Sequence, residues 1–298
     1  MIQPPPLQTG DKVAIVATAR CIAKKDLKPA VNLLKLWGLQ PVLGSSIGLQ
    51  EYQFAGSDEE RAADFQQQIN DPNIKAIWCA KGGYGSIRIL DLVDFSILKT
   101  QPKWIIGYSD VTAIHLHLQS MGVASLHAQM ASGIEGKSAS TSDELKHVLF
   151  GKKLQIEYAS RHPNQVNGEV KAEVLGGNLS VLYSAIGSYS MPDFTNKILF
   201  IEDLDEYLYH IDRMMQNLKR SGLLSRISGL IVGGMTDMND NATPFGKTAE
   251  EIIFEIVKDL NIPVAFNFPA GHVETNLPLI FGKSAHLSVT SERIQLSY

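Results

Sequence analysis

The chain has 298 residues, 44% of them apolar and 19% charged, and a formal net charge of −4 at neutral pH. Such a balance is ordinary for a globular protein and gives no electrostatic footing for nucleic acid, whose binders favour a basic face. Two cysteines, Cys21 and Cys79, imply no disulfide framework and suit reduced cytosolic thiols. The opening Met1-Ile2-Gln3-Pro4-Pro5-Pro6 lacks the basic and apolar regions of a secretory signal. No apolar stretch approaches the roughly 18 residues needed to span a bilayer. The expectation is a cytoplasmic protein that engages neither nucleic acid nor membrane.

After a Gly10-Asp11 turn, residues 12–18 (KVAIVAT) read as a buried strand. Residues 25–38 carry apolar side chains at helical spacing and stop at Gly38. Pro41-Val42-Leu43 begins a second strand, and residues 58–69 form a helix whose acidic first turn suits the dipole. Residues 74–80 (IKAIWCA) read as a third strand, which runs into Lys81-Gly82-Gly83-Tyr84-Gly85 and a helical segment from Ser86 to Leu92. A fourth strand ends at Gly107, a helix runs from Asp110 to about Met121, and residues 124–127 make a fifth strand. This alternation predicts a parallel sheet with helices on both faces, a flavodoxin-like α/β sandwich. In such sheets ligands collect beyond the carboxyl ends of the strands.

Residues 132–166 are more polar and rich in turn formers. We therefore divide the chain into an N-terminal α/β domain (1–150), a linker region (151–166) and a C-terminal domain (167–298). In the latter, strands fall at 168–174, 197–201, 228–233 and 263–268, and helices at 178–187, 206–221 and 247–260. Short alternating runs at 277–281, 285–289 and 293–296 suit antiparallel pairing. The second domain reads as mixed α+β with a partly closed sheet.

Three strand ends carry chemistry. Ser109 sits on a strand-to-helix turn, the placement of a nucleophile elbow, with helix-start N–H groups available to an oxyanion. Its alternative role is that of an N-cap. Glu202 closes an apolar strand, where a rigid backbone positions a partly desolvated carboxylate able to orient an imidazolium. His272 lies in a Pro/Gly-bounded loop directly after a strand, and its neutral-range titration suits proton transfer. The order Ser…Glu…His recurs in α/β hydrolases, although G-x-S-x-G is missing here. The glycine loop at 81–85 lets backbone amides approach an anion or serves as a tight turn; the dinucleotide and Walker spacings are absent. His115 and His117 lie two apart on a helix and cannot chelate together. With no H-E-x-x-H and no C-x-x-C, neither a metal nor another cofactor is implied. Cys79, in an apolar strand, is the weaker nucleophile.

Together, Gly10-Asp11-Lys12-Val13-Ala14-Ile15-Val16, Lys81-Gly82-Gly83-Tyr84-Gly85-Ser86-Ile87-Arg88, Gly107-Tyr108-Ser109-Asp110, Gly176-Gly177-Asn178-Leu179, Ile201-Glu202-Asp203 with Asp212-Arg213, and Gly271-His272 resemble the LD-carboxypeptidases. That serine peptidase family includes muramoyltetrapeptide carboxypeptidase and microcin-immunity-type peptidases. The resemblance implies a Ser109–Glu202–His272 triad, and an active site between two domains that commonly belong to a homodimer. It also implies cleavage of the amide before a C-terminal D-alanine of murein peptides in cell-wall recycling. On that footing the amides of Asp110 and Gly83 form the oxyanion hole. Lys81 and Arg88 are candidates for the substrate carboxylate, with Tyr84 and Asn178 as further substrate-binding candidates. The sequence departs from the family where the first strand ends, with Ala17-Thr18-Ala19-Arg20 in place of a Pro-Ser-type turn, and where Lys81 replaces a common Arg. The alternatives are an immunity-type hydrolase of peptidyl or aminoacyl nucleotide conjugates, and a non-enzymatic small-molecule-binding α/β protein.

Overall fold

The computed structural model describes all residues from Met1 to Tyr298. Its first part contains β1 (Lys12–Val16), α1 (Lys28–Leu36), β2 (Gln40–Leu43), α2 (Asp58–Asn70), β3 (Ile74–Cys79), β4 (Trp104–Gly107), α3 (Thr112–Ser120) and β5 (Ser125–His127). The strands pair in the order β2-β1-β3-β4-β5, all parallel. Near-continuous burial along β1, β3 and β4 explains their unbroken apolar runs, since a parallel sheet is covered on both faces. The chain leaves β1 toward β2 on one side and resumes with β3 on the other. The loops after β1 and β3 therefore diverge at a topological switch point, where a crevice opens. A capping box starts α2: Ser57 accepts the Glu60 amide, and the Glu60 side chain accepts the Ser57 amide. The helical segment expected at 86–92 is a 3-10 turn, Ser86–Leu92.

The second part contains α4 (Ala139–Leu149), β6 (Gln155–Ala159), β7 (Gly168–Asn178), α5 (Leu179–Ser184), β8 (Ile198–Leu204), α6 (Leu208–Arg220), β9 (Gly229–Thr236), α7 (Ala249–Val257), β10 (Val264–Ala265), β11 (Leu279–Phe281), β12 (Ser284–Val289) and β13 (Arg293–Ser297). One sheet runs β10-β9-β8-β7-β12-β13-β6. Pairing is parallel from β10 to β7 and antiparallel beyond. Val166 and Val264 exchange backbone hydrogen bonds of 3.0 Å, which draws the chain beyond β6 back to the β10 edge. The sheet is thus partly closed, by one bridge. Helix α6 buries Ile211, Met214, Met215 and Leu218 as a stripe against it.

Three features differ from the sequence expectation. Residues 151–166 contain β6, whose alternation buries only Ile156 completely and so leaves a weak apolar signal. Helix α4 lies where the sequence predicts polar turns, because Ser138, Ser140, Thr141 and Ser142 at its start carry turn chemistry. The run ending at Phe281 pairs antiparallel as expected, but as β11 it joins β5 and becomes the outer strand of the first sheet. One buried apolar cluster accordingly spans both sheets, with Trp104 and Leu126 in the same core as Phe200, Phe281 and Leu287. No helix is long and apolar enough to cross a membrane.

Candidate active site

At the end of β4 the chain passes through Tyr108 in extended conformation (φ −150°, ψ −167°) and enters Ser109 at φ 58°. A non-glycine residue in the left-handed region costs about 1–3 kcal/mol and persists only where its surroundings enforce it. From Ser109 a 3-10 turn, Ser109–Val111, leads into α3. Gly107 permits this tight reversal, because a Cβ there would sit 3.0–3.1 Å from the Val111 side chain. The buried Asp110 carboxylate accepts the Ser86 amide at 2.9 Å, tying the far end of the glycine loop to the serine turn. Burial pushes the Asp110 carboxyl above its usual range. The loop in turn rides on the serine: a Cβ on Gly82 would lie 3.5 Å from Ser109 Oγ and 3.0 Å from Met130 Cε. The Gly82 and Gly83 amides donate to no backbone carbonyl. Such free amides beside a hydroxyl have the makings of an oxyanion hole.

Across the crevice, Glu202 near the end of β8 is fully buried. Its Oε2 accepts from His272 Nδ1 at 2.7 Å and from the His272 backbone amide at 3.3 Å. A carboxylate only accepts, so a neutral His272 carries its proton on Nδ1 and presents Nε2 as a base. Glycine makes this approach possible: at Gly271 (φ 102°) a Cβ would stand 2.6 Å from Glu202 Oε2. The buried Asn276 fixes the loop by accepting the Gly271 amide at 2.8 Å and donating to Gln129 Oε1 at 3.3 Å. The Tyr108 ring packs on the imidazole with centroids 4.7 Å apart.

The two sheets meet just behind these groups. Thr112, at the start of α3, accepts the Asn178 amide at 2.9 Å. Gly177 lacks the Cβ that would strike Thr112 at 2.5 Å. Asn178 itself caps α5 and donates to Asp203 at 2.8 Å. Burial and the Glu202 charge push Asp203 up to about 7.

Ser109 and His272 line one cavity of about 320 Å³ with Lys81, Gly83 and Arg20. Glu202 stands behind His272, and Asp110 behind the glycine loop. Three of the substrate-binding candidates are not in this wall. Arg88 forms an ion pair with Asp58 of α2 at 2.6 Å, and Tyr84 packs against Phe54 with centroids 6.2 Å apart. Asn178 is buried and occupied as described. Arg20, Gln129 and Asn276 belong to the site without a sequence motif that points to it; only the unusual turn after β1 marks Arg20. Cys79 is no nucleophile, since burial pushes its thiol up to about 12. His115 is buried between Ser125 Oγ (2.8 Å) and the Gly107 carbonyl (2.9 Å), and His117 contacts Ser190 Oγ at 2.9 Å.

An α/β crevice with a strained serine at one strand end and a carboxylate-held histidine at another defines a hydrolase-type site. Comparison with known proteins gives the class its family. The LD-carboxypeptidase N-terminal domain matches residues 13–128, and the LD-carboxypeptidase C-terminal domain matches residues 171–287. The chain belongs to the LD-carboxypeptidase family. It is 32% identical to the Bacillus subtilis protein named "Probable murein peptide carboxypeptidase" over 98% of this chain and 92% of that one. It is 27% identical to the Escherichia coli microcin C7 self-immunity protein MccF, over 98% of this chain and 94% of that one. The crystal structure of muramoyltetrapeptide carboxypeptidase from Oxalobacter formigenes superposes with a TM-score of 0.88 at 27% identity, covering 96% of this chain and 98% of the other.

Proposed function

We propose that this protein is a serine-type LD-carboxypeptidase that hydrolyses the amide before the C-terminal D-alanine of murein tetrapeptides. The observation that carries the reading is the 2.7 Å bond from His272 Nδ1 to the buried Glu202, beside a cavity that His272 lines together with Ser109 at φ 58°. Ser109 Oγ attacks the carbonyl carbon as its proton passes to His272 Nε2. The carbonyl π electrons move onto oxygen, facing the Gly83 and Asp110 amides. One such donor is worth about 3–4 kcal/mol in related chemistry. Collapse of the tetrahedral intermediate breaks the C–N bond, and His272 hands its proton to the leaving amine. Water then attacks the acyl-serine with His272 again as base, restoring Ser109 and releasing the tripeptide acid. Glu202 holds the tautomer and stabilises the imidazolium without taking the proton.

Every proton and electron pair in this scheme is handled by the chain's own groups, so the proposed reaction needs no metal. A chelator should leave its rate unchanged. The family resemblance supports the remaining parts of the proposal, that the enzyme acts in the cytoplasm on a recycled peptide and works as a homodimer, which sedimentation will check.

The deciding experiment incubates the protein with murein tetrapeptide and follows loss of D-alanine by mass. Release that disappears in Ser109→Ala supports the reading. No release, with hydrolysis of an aminoacyl nucleotide conjugate instead, would move the protein to the branch represented by MccF. No turnover of either, and no acylation by a serine-directed probe, would leave a binding protein.

A further inference from the structure

The wall of the Ser109 cavity contains two cations, Arg20 and Lys81, and no carboxylate. Neither makes an ion pair within the protein, whereas the nearby Arg61 and Arg88 both pair with Asp58. A cavity lined this way favours an anion. The two cations are not equivalent. Lys81 is a single charge on a flexible stem. Arg20 is fixed at its backbone: the Ala19 carbonyl accepts from Ala55 at 3.0 Å, and the Cys21 amide donates to Gln53 at 2.9 Å. Its side chain lies across Gly83, where a Cβ would come within 2.5 Å of both Arg20 Cδ and Nε. On the neighbouring Gly82 a Cβ would lie 3.5 Å from Ser109 Oγ. The Ser109 hydroxyl and the Arg20 stem thus lie beside consecutive glycines of one loop, whose Cα atoms are about 3.8 Å apart. In a peptide cut before its last residue, the terminal carboxylate also lies one residue beyond the scissile carbonyl.

Resting on the carboxypeptidase reading above, we propose that Arg20 is the receptor for the substrate's C-terminal carboxylate. Its planar fork binds both carboxylate oxygens while Ser109 attacks the preceding carbonyl, a geometry that a lysine cannot reproduce. Arg20 thereby makes the enzyme an exopeptidase: a chain ending in an amide presents no charge to the fork and leaves the guanidinium unpaired. Gly83 is part of the device, because any side chain there would displace Arg20 from the cavity.

The test compares murein tetrapeptide ending in free D-alanine with the same peptide ending in D-alaninamide. The wild type should prefer the acid. Arg20→Ala should lower kcat/KM for the acid roughly 10–100-fold, mostly through KM, and bring it down toward the amide's value. Arg20→Lys should recover part of the preference, and Lys81→Ala should retain the acid-to-amide ratio. Labelling of Ser109 by a fluorophosphonate should be as fast in Arg20→Ala as in wild type, which separates a lost carboxylate contact from a damaged site. An Arg20→Ala enzyme that keeps the wild-type ratio overturns the assignment, as does a Lys81→Ala enzyme that loses it. A wild-type protein that releases neither D-alanine from the acid nor D-alaninamide from the amide overturns the carboxypeptidase reading and this assignment with it.

Discussion

The carboxyl edges of the two sheets hold their reactive groups by opposite means. At the first edge, position is set by backbone geometry: Ser109 sits at φ 58°, Gly82 and Gly83 let the loop close on it, and Asp110 tethers that loop through Ser86. At the second edge, position is set by burial: Glu202 is fully desolvated and His272 supplies both hydrogen bonds to its carboxylate, whose Oε1 is buried without a partner. The first arrangement stores strain beneath the proposed nucleophile. The second holds a charge out of water, where its effect on a neighbouring imidazolium is strongest. A hydroxyl needs an exposed approach to substrate, whereas a base needs a defined tautomer, so the contrast fits the chemistry proposed for each edge.

The largest test of this division is catalytic. Ser109→Ala and His272→Ala should each lower kcat by about 10⁴-fold or more, and combining them should cost little beyond either alone, because they act as a unit. Glu202→Gln keeps the shape but can donate to Nδ1 and favour the wrong tautomer, which in a related triad costs roughly 10⁴-fold. Rates of D-alanine release measure all three. Additive losses in the double variant would break the proposed partnership between the edges.

Both edges were legible in the sequence for the same reason. Ser109 and His272 follow apolar strands and Glu202 lies near the end of one, and Gly107, Gly82 and Gly271 mark where backbone and side chains come close. What was not legible depends on neighbours distant in the chain. Arg88 is claimed by Asp58, 30 residues upstream. Asn178 is claimed by Asp203, 25 residues downstream. Arg20 enters the cavity because β1 and β3 are adjacent strands. The left-handed φ of Ser109 left no mark either, since a serine carries no glycine signal. Nor could alternation show that β11 crosses to the other sheet.

That crossing makes Phe281 the next largest test. Its fully buried ring lies 5.4 Å from His127 of the first sheet and 6.1 Å from Phe200 of the second, centroid to centroid. Phe281→Ala should cost about 3–5 kcal/mol in denaturant unfolding. Because the cluster spans both sheets, the loss should appear as one transition. Two separated transitions would show that the edges belong to independently stable units.

Asp203 gives a pH test of the buried edge. Its carboxyl is raised from 3.8 to about 7, with burial the first cause and the Glu202 charge the second. The folded protein therefore binds more protons than the unfolded chain between those values. This group's contribution to stability falls as pH rises through that window and is fully lost above about 7. The slope is at most roughly 1.4 kcal/mol per pH unit. Asp203→Asn should flatten the fall in melting temperature between pH 4 and 7 while lowering stability at the acid end, where its second acceptor oxygen is missed by the Ser180 amide. An unchanged slope would assign the titration to another group.

The smallest expected effect opposes the others in sign and tests the first edge. If Ser109 stores backbone strain, a residue at ease in the left-handed region should release it. Ser109→Gly should raise stability relative to Ser109→Ala by about 1 kcal/mol. The gain should survive the added entropy of a glycine in the unfolded chain, because alanine in this turn keeps the strain without the hydroxyl. Both variants lack the nucleophile, so their comparison reports conformation alone. Equal melting temperatures would mean that Ser109 rests in an unstrained turn. The first edge would then be held, like the second, by its side-chain contacts.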